Sequence, residues 1–152
     1  MNLSSYRKIT SLNKDIVQCR ACPRLVEFRE AVARKKRKQF EAWDYWGKPV
    51  PGYGEPGASL LLTGLAPAAH GGNRTGRVFT GDKSADFLVR CLYDVGIANQ
   101  PNSDSLDDGL ELINAYMTPV LKCVPPEDKP KPDELKQCAH YLSAELILLK
   151  NV

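Results

Sequence analysis

The residues with the clearest chemistry in this 152-residue sequence are its five cysteines. Cys19 and Cys22 form a C-x2-C pair, Cys123 and Cys138 follow far downstream, and Cys91 stands apart from both sets. Four thiolates can hold either a zinc ion or an iron–sulfur cluster. A zinc ribbon usually pairs one C-x2-C with a second, which this chain lacks, so the dispersed spacing favours a cubane cluster over zinc.

A second stretch with chemical potential is GLAPAAHGGNRTGRVFTGD, residues 64–82, which we call the glycine loop. It directly follows an apolar run, and glycines in a turn between a strand and a helix let backbone N–H groups approach a ligand closely. The loop lacks the lysine and spacing of a phosphate loop, which argues against nucleotide hydrolysis. We therefore predict that the N–H groups after Gly64 face an anion or a carbonyl oxygen, as in an oxyanion hole.

Three side chains of the glycine loop could serve either structure or a site. His70 is equally compatible with a capping role and with a role in the site. Phe79 either stacks on a flat ligand or packs into the core. Asp82, like Thr80, can cap the helix that follows.

The charges are unevenly distributed along the chain. The net charge of +3 does not by itself indicate nucleic acid. Five cations are nevertheless consecutive: Arg34, Lys35, Lys36, Arg37 and Lys38. Such a run is either a solvated helix face or a patch that faces phosphates.

Composition is that of a single globular domain over residues 1–152, with 43% apolar and 26% charged residues. No apolar run approaches the roughly 18 residues of a membrane helix, and the N-terminus has no apolar signal core. We therefore expect a cytoplasmic protein without a membrane partner, in which the cysteines stay reduced.

Four helices and two strands must position these residues. The periodicity predicts helices over residues 4–19, from Pro23, over 83–95 and from Asp133, and strands over 58–63 and 113–121. The strand over 58–63 is predicted to be buried. Residues 42–57 are predicted to be an irregular aromatic loop, and residues 98–110 a polar one. The apolar face of the 83–95 helix carries Phe87, Leu88, Cys91, Leu92 and Val95, so we predict that Cys91 packs in the core.

The order of these elements predicts a three-layer αβα fold with a central parallel sheet and helices on both faces. Two strands are too few for such a sheet, which is stable when it is broad and covered. We therefore expect further strands beyond Val152 and interpret the chain as incomplete at its C-terminus.

The glycine loop, the C-x2-C pair and the stretches KCVPP and QCAHYL together resemble the iron–sulfur uracil-DNA glycosylases, most closely family 5, or type b. The resemblance runs from about Cys19 to the end of the chain. It implies a DNA-repair enzyme that flips a uracil out of the duplex and hydrolyses its N-glycosidic bond, with other deaminated bases as further candidate substrates. It also implies a structural 4Fe–4S cluster, with zinc as the less favoured occupant, on Cys19, Cys22, Cys123 and Cys138.

The resemblance also assigns roles within the glycine loop. The backbone would lie against uracil while Phe79 stacks on its ring, and donors aimed at the carbonyl oxygens would stabilise the departing anion. The implied substrate-binding residues are Gly64, Leu65, Ala66, Asn73 and Phe79. The implied catalytic residues are Ala66, His70 and Asp82.

The chain departs from the family pattern at several places. Many members carry an Asp or Asn early in the first motif to position water, whereas residues 65–68 are all apolar, as in the type b branch; Asp82 is our hypothesis for that role. Type a enzymes have Asn where this chain has Pro119 and Asp128. The family's second motif, a His-Pro-Ser-type loop, is expected beyond Val152.

A DNA substrate would turn the basic run into phosphate contacts, and we expect a monomer associated with the nucleoid. The alternative function is a non-catalytic metal-cluster module that binds DNA or a protein. That module would need the cysteines and the basic run, but neither Phe79 nor the shape of the glycine loop. A more remote alternative is a zinc-stabilised phosphate-binding domain.

Overall fold

The computed structural model describes residues 3–152, with side chains from Arg7 onward. The helices are α1 (Leu3–Val17), α2 (Pro23–Lys35), α3 (Gly72–Thr75), α4 (Lys83–Asp94) and α5 (Pro132–Leu148). The strands are β1 (Tyr53–Gly54), β2 (Leu60–Gly64) and β3 (Ala115–Pro119), and short 3-10 turns cover Lys38–Phe40 and Pro126–Asp128. All the predicted helices and strands are present, with ends that differ by a few residues. None of the helices in residues 3–152 combines the length and apolarity needed to span a bilayer.

The helices begin where the sequence supplies helix-start chemistry. Pro23 and Pro132 each open a helix, where a missing N–H costs nothing. Asp82 is the N-cap of α4, and its Oδ1 accepts from the Ala85 N–H at 2.9 Å. The sequence offered Asp82 and Thr80 as caps for this helix, and Asp82 is the one that caps it.

The sheet has the order β1-β3-β2, with β3 in the centre. β2 and β3 are parallel, with Leu62 opposite Met117, as predicted for strands joined through a helix. β1 pairs with β3 in the antiparallel sense and places Tyr53 opposite Met117. This two-residue strand lies within residues 42–57, where prolines and glycines led us to predict only irregular structure, so the sheet is mixed rather than wholly parallel.

β3 separates two cores. Ala115 and Met117 pack with Val89 of α4, whereas Tyr116, between them in sequence, packs with Ile9 of α1. This alternation follows from the period of two along a strand. It produces the predicted three layers, with α4 on one face of the sheet and α1 and α5 on the other.

Two predictions about burial are wrong. Phe87 and Val95 of the predicted α4 core face are 76% and 69% exposed, and Cys91 is exposed as well. The buried residues of α4 are Ala85, Val89 and Leu92. α4 carries apolar residues on more than one face, so its periodicity could not decide which face meets the sheet.

The second wrong prediction about burial concerns β2, which we expected to be a buried strand. It lies at the edge of the described sheet, and its residues are exposed or half-buried, with Leu60 39% exposed. An apolar run of this length is also typical of an edge strand with one open side, and the run alone does not distinguish the two positions.

Candidate functional site

The carboxyl end of β2 delivers the glycine loop alongside the continuation of β3. The carbonyl oxygens of Gly64 and Leu65 accept from the N–H groups of Val120 and Leu121, at 2.8 and 2.9 Å. Because C=O and N–H of a trans peptide point in opposite directions, the N–H groups of Leu65 and Ala66 face away from β3. Neither N–H has an acceptor in the described part of the chain. The structure therefore presents two adjacent backbone donors on one side of the loop.

The ring of Phe79 lies against Gly64, the residue directly before these two donors. Its ring is so close to Gly64 that a Cβ at that glycine would lie 3.0 Å from Phe79 Cζ. Phe79 is half-buried and has a φ of +49°, a left-handed conformation that non-glycine residues adopt at a cost. The structure thus brings together three of the residues predicted from the resemblance, Gly64, Leu65 and Ala66, with the predicted ring.

A buried network fixes the backbone on both sides of Phe79. The Arg77 guanidinium bonds both carboxylate oxygens of Asp108, at 2.8 and 2.9 Å, and Ser103 Oγ at 3.1 Å. Its Nε donates to Thr80 Oγ1 at 2.9 Å. Sequence reasoning missed Arg77 and Asp108, because no local spacing links a loop arginine to an acid 31 residues away.

Asp108 is held as a carboxylate in this network. Burial raises its pKa, but backbone N–H donors from Leu110 and Asp104 and the guanidinium of Arg77 outweigh burial and lower the pKa below the ordinary 3.8. The carboxylate thereby ties the polar loop 98–110 to the glycine loop.

His70 is paired with an aromatic hydroxyl. Its Nδ1 lies 2.8 Å from the Tyr45 hydroxyl, which itself accepts from the Arg37 N–H at 3.3 Å. The hydroxyl proton is then available for Nδ1, which leaves the proton of a neutral imidazole on Nε2. Burial, followed by the charges of Arg37 and Arg74, lowers the pKa of His70, so the ring is neutral at pH 7.

His70 and Asp82 line one open cavity, together with Gly71, Arg37 and Trp43. Asp82 uses Oδ1 to cap α4, and its Oδ2 lies directly over Gly71, where a Cβ would overlap it. Gly64, Leu65, Ala66 and Phe79 do not line this cavity. The predicted site residues therefore fall into two groups.

Asn73 lies in the interior rather than at an opening. Asn73 is 1% exposed, and its Nδ2 donates to the backbone carbonyl oxygen of Arg29 at 3.2 Å. The backbone carbonyl oxygen of Asn73 accepts from the Gly47 N–H at 3.0 Å. The structure gives no support to direct contact between Asn73 and uracil. Instead Asn73 connects the glycine loop to α2.

Arg74 closes the glycine loop on itself. Its guanidinium donates to the carbonyl oxygens of His70 and Gly81, at 2.6 and 2.7 Å. It also lies between two aromatic rings, 3.8 Å from the centroid of Phe40 and 4.1 Å from that of Trp43. Sequence reasoning placed Trp43 in the aromatic loop but predicted neither Phe40 beside it nor their cationic partner.

The basic run bends around the end of α2 instead of forming one helix face. Arg34 and Lys35 end the helix, Lys36 has a φ of +54°, and Lys38 begins a 3-10 turn. All five residues except half-buried Lys36 are exposed. Arg37 lies at the open cavity beside His70 and Asp82, so the run adjoins part of the predicted site.

The four predicted cysteine ligands line a single cavity, which we call the cysteine cavity. They are Cys19, Cys22, Cys123 and Cys138. Burial raises the pKa of the Cys123 thiol to about 12 and also raises the pKa values of Cys22 and Cys138. Thiolates in this cavity therefore require a nearby positive charge.

Among the described side chains, no group of three or more His, Cys, Asp and Glu residues is arranged to hold a metal ion. A single zinc ion needs its sulfur ligands about 2.3 Å from one point. A cubane bridges ligands around a larger body, each thiolate binding a different iron. The four cysteines of the cavity are the ligand type that both zinc and iron–sulfur clusters use.

A buried ion pair supports the cysteine cavity from behind. Lys122 and Glu145 are 1% and 0% exposed, and Nζ lies 2.8 Å from Oε2. Thr118 Oγ1 accepts from Nζ at 2.7 Å and donates to Glu145 Oε1 at 2.8 Å, while the Lys122 N–H contacts Cys138 Sγ at 3.4 Å. Burial lowers the pKa of Lys122, and Glu145 opposes this. Sequence reasoning missed the pair, although Glu145 interrupts the apolar pattern of α5.

The amino-acid sequence is similar to those of one family of known proteins. A family model described as the uracil DNA glycosylase superfamily matches residues 51–152. A type-5 uracil-DNA glycosylase of Thermus thermophilus is 50% identical over 137 residues, and that of Pyrobaculum aerophilum is 48% identical over 131. A type-4 uracil-DNA glycosylase of Sulfurisphaera tokodaii is 27% identical over 113 residues.

These relatives are longer than the chain. The matched segments cover 90% and 86% of this chain but 62% and 57% of the Thermus and Pyrobaculum proteins. The match to the Sulfurisphaera protein covers 74% of this chain and 45% of that protein. The chain thus spans about three fifths of the length of the type-5 relatives.

Proposed function

The chain belongs to the uracil DNA glycosylase superfamily, and from this membership we propose that it excises uracil from DNA by hydrolysing the N-glycosidic bond. Other deaminated bases are further candidate substrates. The observation that carries the proposal is the pair of N–H groups at Leu65 and Ala66 that have no acceptor among the described residues, next to the ring of Phe79. The names of the type-5 relatives support the choice of uracil.

The chemistry required is stabilisation of a leaving anion. When the bond between uracil and deoxyribose breaks, negative charge develops on the carbonyl oxygens of the base. Fixed backbone donors at Leu65 and Ala66 would receive this charge without reorganising, which lowers the barrier. The base must first leave the stack, and Phe79 would then lie against its flat face.

Water positioning is the second requirement, since residues 65–68 offer no polar side chain. Asp82 is our candidate, because its Oδ2 remains beside the open cavity while Oδ1 caps α4. His70 would act as a neutral donor through Nε2, given the contact of Nδ1 with Tyr45. These two roles require the bound nucleotide to reach from Phe79 to the open cavity.

We also propose that the cysteine cavity holds a 4Fe–4S cluster. The support is that four thiols from three parts of the chain line one cavity. When bound, the cluster would supply a structural crosslink between α2, the end of β3 and α5. The chemistry on uracil is left to the glycine loop.

DNA would approach over the basic run. Arg34, Lys35, Arg37 and Lys38 are exposed, and Arg37 adjoins the open cavity, so phosphate contacts there would flank the flipped nucleotide. Binding should weaken steeply as salt increases. We propose a monomer acting in the cytoplasm at the nucleoid, since both groups of candidate site residues come from one chain.

The test is an excision assay on oligonucleotides that carry a single uracil, in single-stranded and double-stranded form. Alkali then cleaves any abasic site that the protein creates. We expect strand breaks at the uracil position, and a loss of roughly 5- to 150-fold when Phe79 is replaced by alanine, because base stacking contributes about 1–3 kcal/mol. The matched control is Phe87→Ala, which removes a ring that is 76% exposed on α4.

Two outcomes would contradict the enzymatic proposal. Absence of strand breaks together with equal binding of uracil and thymine DNA would exclude both excision and uracil recognition. Salt-sensitive DNA binding without strand breaks, unaffected by Phe79→Ala, would instead support a non-catalytic DNA-binding module.

A further inference from the structure

Two buried cations lie next to the cysteine cavity, and their charges are compensated very differently. Lys122 has the carboxylate of Glu145 at 2.8 Å, itself fully buried. Among the described residues, Arg29 forms an ion pair only with Glu30, whose Oε1 is 3.6 Å from Nη1 and lies much closer, at 2.5 Å, to Arg20. Arg29 is 2% exposed, so the residue is almost wholly shielded from solvent.

The other partners of Arg29 are neutral. Nη1 donates to the Gly47 carbonyl oxygen at 2.8 Å, and Nη2 donates to the Cys19 carbonyl oxygen at 3.2 Å. Nε has no acceptor among the described residues. A buried charge without a close counter-charge is costly by several kcal/mol, so an anion bound beside Arg29 would stabilise the fold.

The anion that fits is a thiolate-bound centre. Arg29 lies beside the first cysteine pair, because its Nη2 donates to the Cys19 carbonyl oxygen at 3.2 Å. A cubane held by four thiolates carries net negative charge, and its sulfurs accept hydrogen bonds. Such a centre would supply a close counter-charge for the guanidinium of Arg29 and an acceptor for its Nε.

Arg29 also reaches the glycine loop. Its carbonyl oxygen accepts from Asn73 Nδ2 at 3.2 Å, and Gly47, the acceptor of its Nη1, donates its N–H to the Asn73 carbonyl at 3.0 Å. The same residue therefore contacts the segment that carries the first cysteine pair and the short helix α3 within the loop.

We propose that Arg29 is a positioning residue that provides the counter-charge for the metal centre of the cysteine cavity and connects that centre to the glycine loop. The inference rests on the cluster in the proposed function. It predicts that removing the guanidinium of Arg29 weakens retention of the cluster and leaves DNA binding by the basic run less affected.

The experiment compares the unchanged protein with Arg29→Gln, Arg29→Lys and, as a charge-matched control, Arg90→Gln on the exposed side of α4. Iron and acid-labile sulfide per chain, visible absorption, and the rate at which absorption is lost to an iron chelator are measured for each. We expect Arg29→Gln to lose the cluster roughly 10–100-fold faster, as for other outer-shell partners of metal sites. Arg29→Lys should be intermediate, and Arg90→Gln unchanged.

Far-UV circular dichroism shows whether each variant is folded. If Arg29→Gln does not fold, Arg29→Lys decides: faster loss than in the unchanged protein supports the inference, and an equal rate overturns it. A folded Arg29→Gln with unchanged iron content and loss rate also overturns it while leaving the cluster proposal intact. Absence of iron and sulfide from the unchanged protein would reject the cluster and this inference together, without bearing on uracil excision.

Discussion

The glycine loop and the cysteine cavity are assembled in opposite ways. The candidate donors and Phe79 of the loop come from one continuous segment, which is closed by short-range bonds from Arg74 to the carbonyl oxygens of His70 and Gly81 and anchored to the rest of the fold by the pairing of Arg77 with Asp108. The cavity collects its thiols from the link between α1 and α2, the end of β3 and the middle of α5. It also relies on a buried ion pair between residues 23 positions apart.

The difference predicts how each region responds to substitution. A site built from one segment keeps its geometry through local hydrogen bonds, each worth about 0.5–1.5 kcal/mol, so single changes there should have limited effects on stability. A site built from distant segments has no geometry until the fold is complete. Changes that loosen the cavity should therefore cost more, and they should reach the whole domain.

The largest effect is expected from Lys122→Met, which leaves the carboxylate of Glu145 buried without a partner. Breaking a buried pair in this way costs about 3–5 kcal/mol, and urea denaturation would measure it. The double variant Lys122→Met with Glu145→Leu should recover most of the loss, because both charges are then removed. A double variant as unstable as the single one would show that the pair is not the support of the cavity.

Asp108→Asn comes next, since it removes the charge that Arg77 pairs with beside Phe79. We expect a loss of about 1.5–3 kcal/mol at pH 7, typical of hydrogen bonds to charged groups. Because the pKa of Asp108 in the folded state is below its ordinary 3.8, its contribution is complete above that value and is lost as the pH falls below it. The free-energy difference from the unchanged protein should therefore shrink in acid. A difference that stays constant from pH 7 to pH 2 would argue against this ion pair.

Gly64→Ala tests the packing of the glycine loop against its aromatic ring. The new Cβ would lie 3.0 Å from Phe79 Cζ, so the ring must move, at a cost of about 1–3 kcal/mol. Gly57→Ala is the matched control, because a Cβ there meets nothing within 4 Å. Thermal unfolding and uracil excision should both be impaired by the first substitution and unaffected by the second. Equal behaviour of the two variants would place the ring elsewhere.

The smallest effect on stability is expected at Asp82, where capping and the proposed catalysis can be separated. Asp82→Ala should cost about 1 kcal/mol through loss of the α4 cap, whereas Asp82→Asn should be nearly neutral because Asn caps equally well. If Asp82 positions water as a carboxylate, Asp82→Asn should lose excision while its melting temperature is unchanged. Full activity in Asp82→Asn would remove Asp82 from the proposed mechanism.

The elements that sequence analysis located correctly are those with local causes. Prolines that open α2 and α5, the cap of α4 and the apolar runs of β2 and β3 act within a few residues, so the pattern fixes them. The burial of α4 was predicted incorrectly, with Cys91 and Phe87 placed inside, because which apolar face is covered depends on the sheet that the helix meets. β1 was missed because its pairing with β3 supplies the order that its own sequence lacks.

By itself, the sequence determined the order of elements, the glycine loop with its unusual lack of a phosphate-loop lysine, and four cysteines whose spacing favoured one shared centre. Only the tertiary structure decided that the N–H groups of Leu65 and Ala66 point away from β3, that Asn73 is buried, and that Arg29 shares the carboxylate of Glu30 with Arg20. The physical reason is that hydrogen-bond direction, burial and charge compensation are properties of neighbours in space. Those neighbours lie tens of residues apart in the chain, where no local pattern records them.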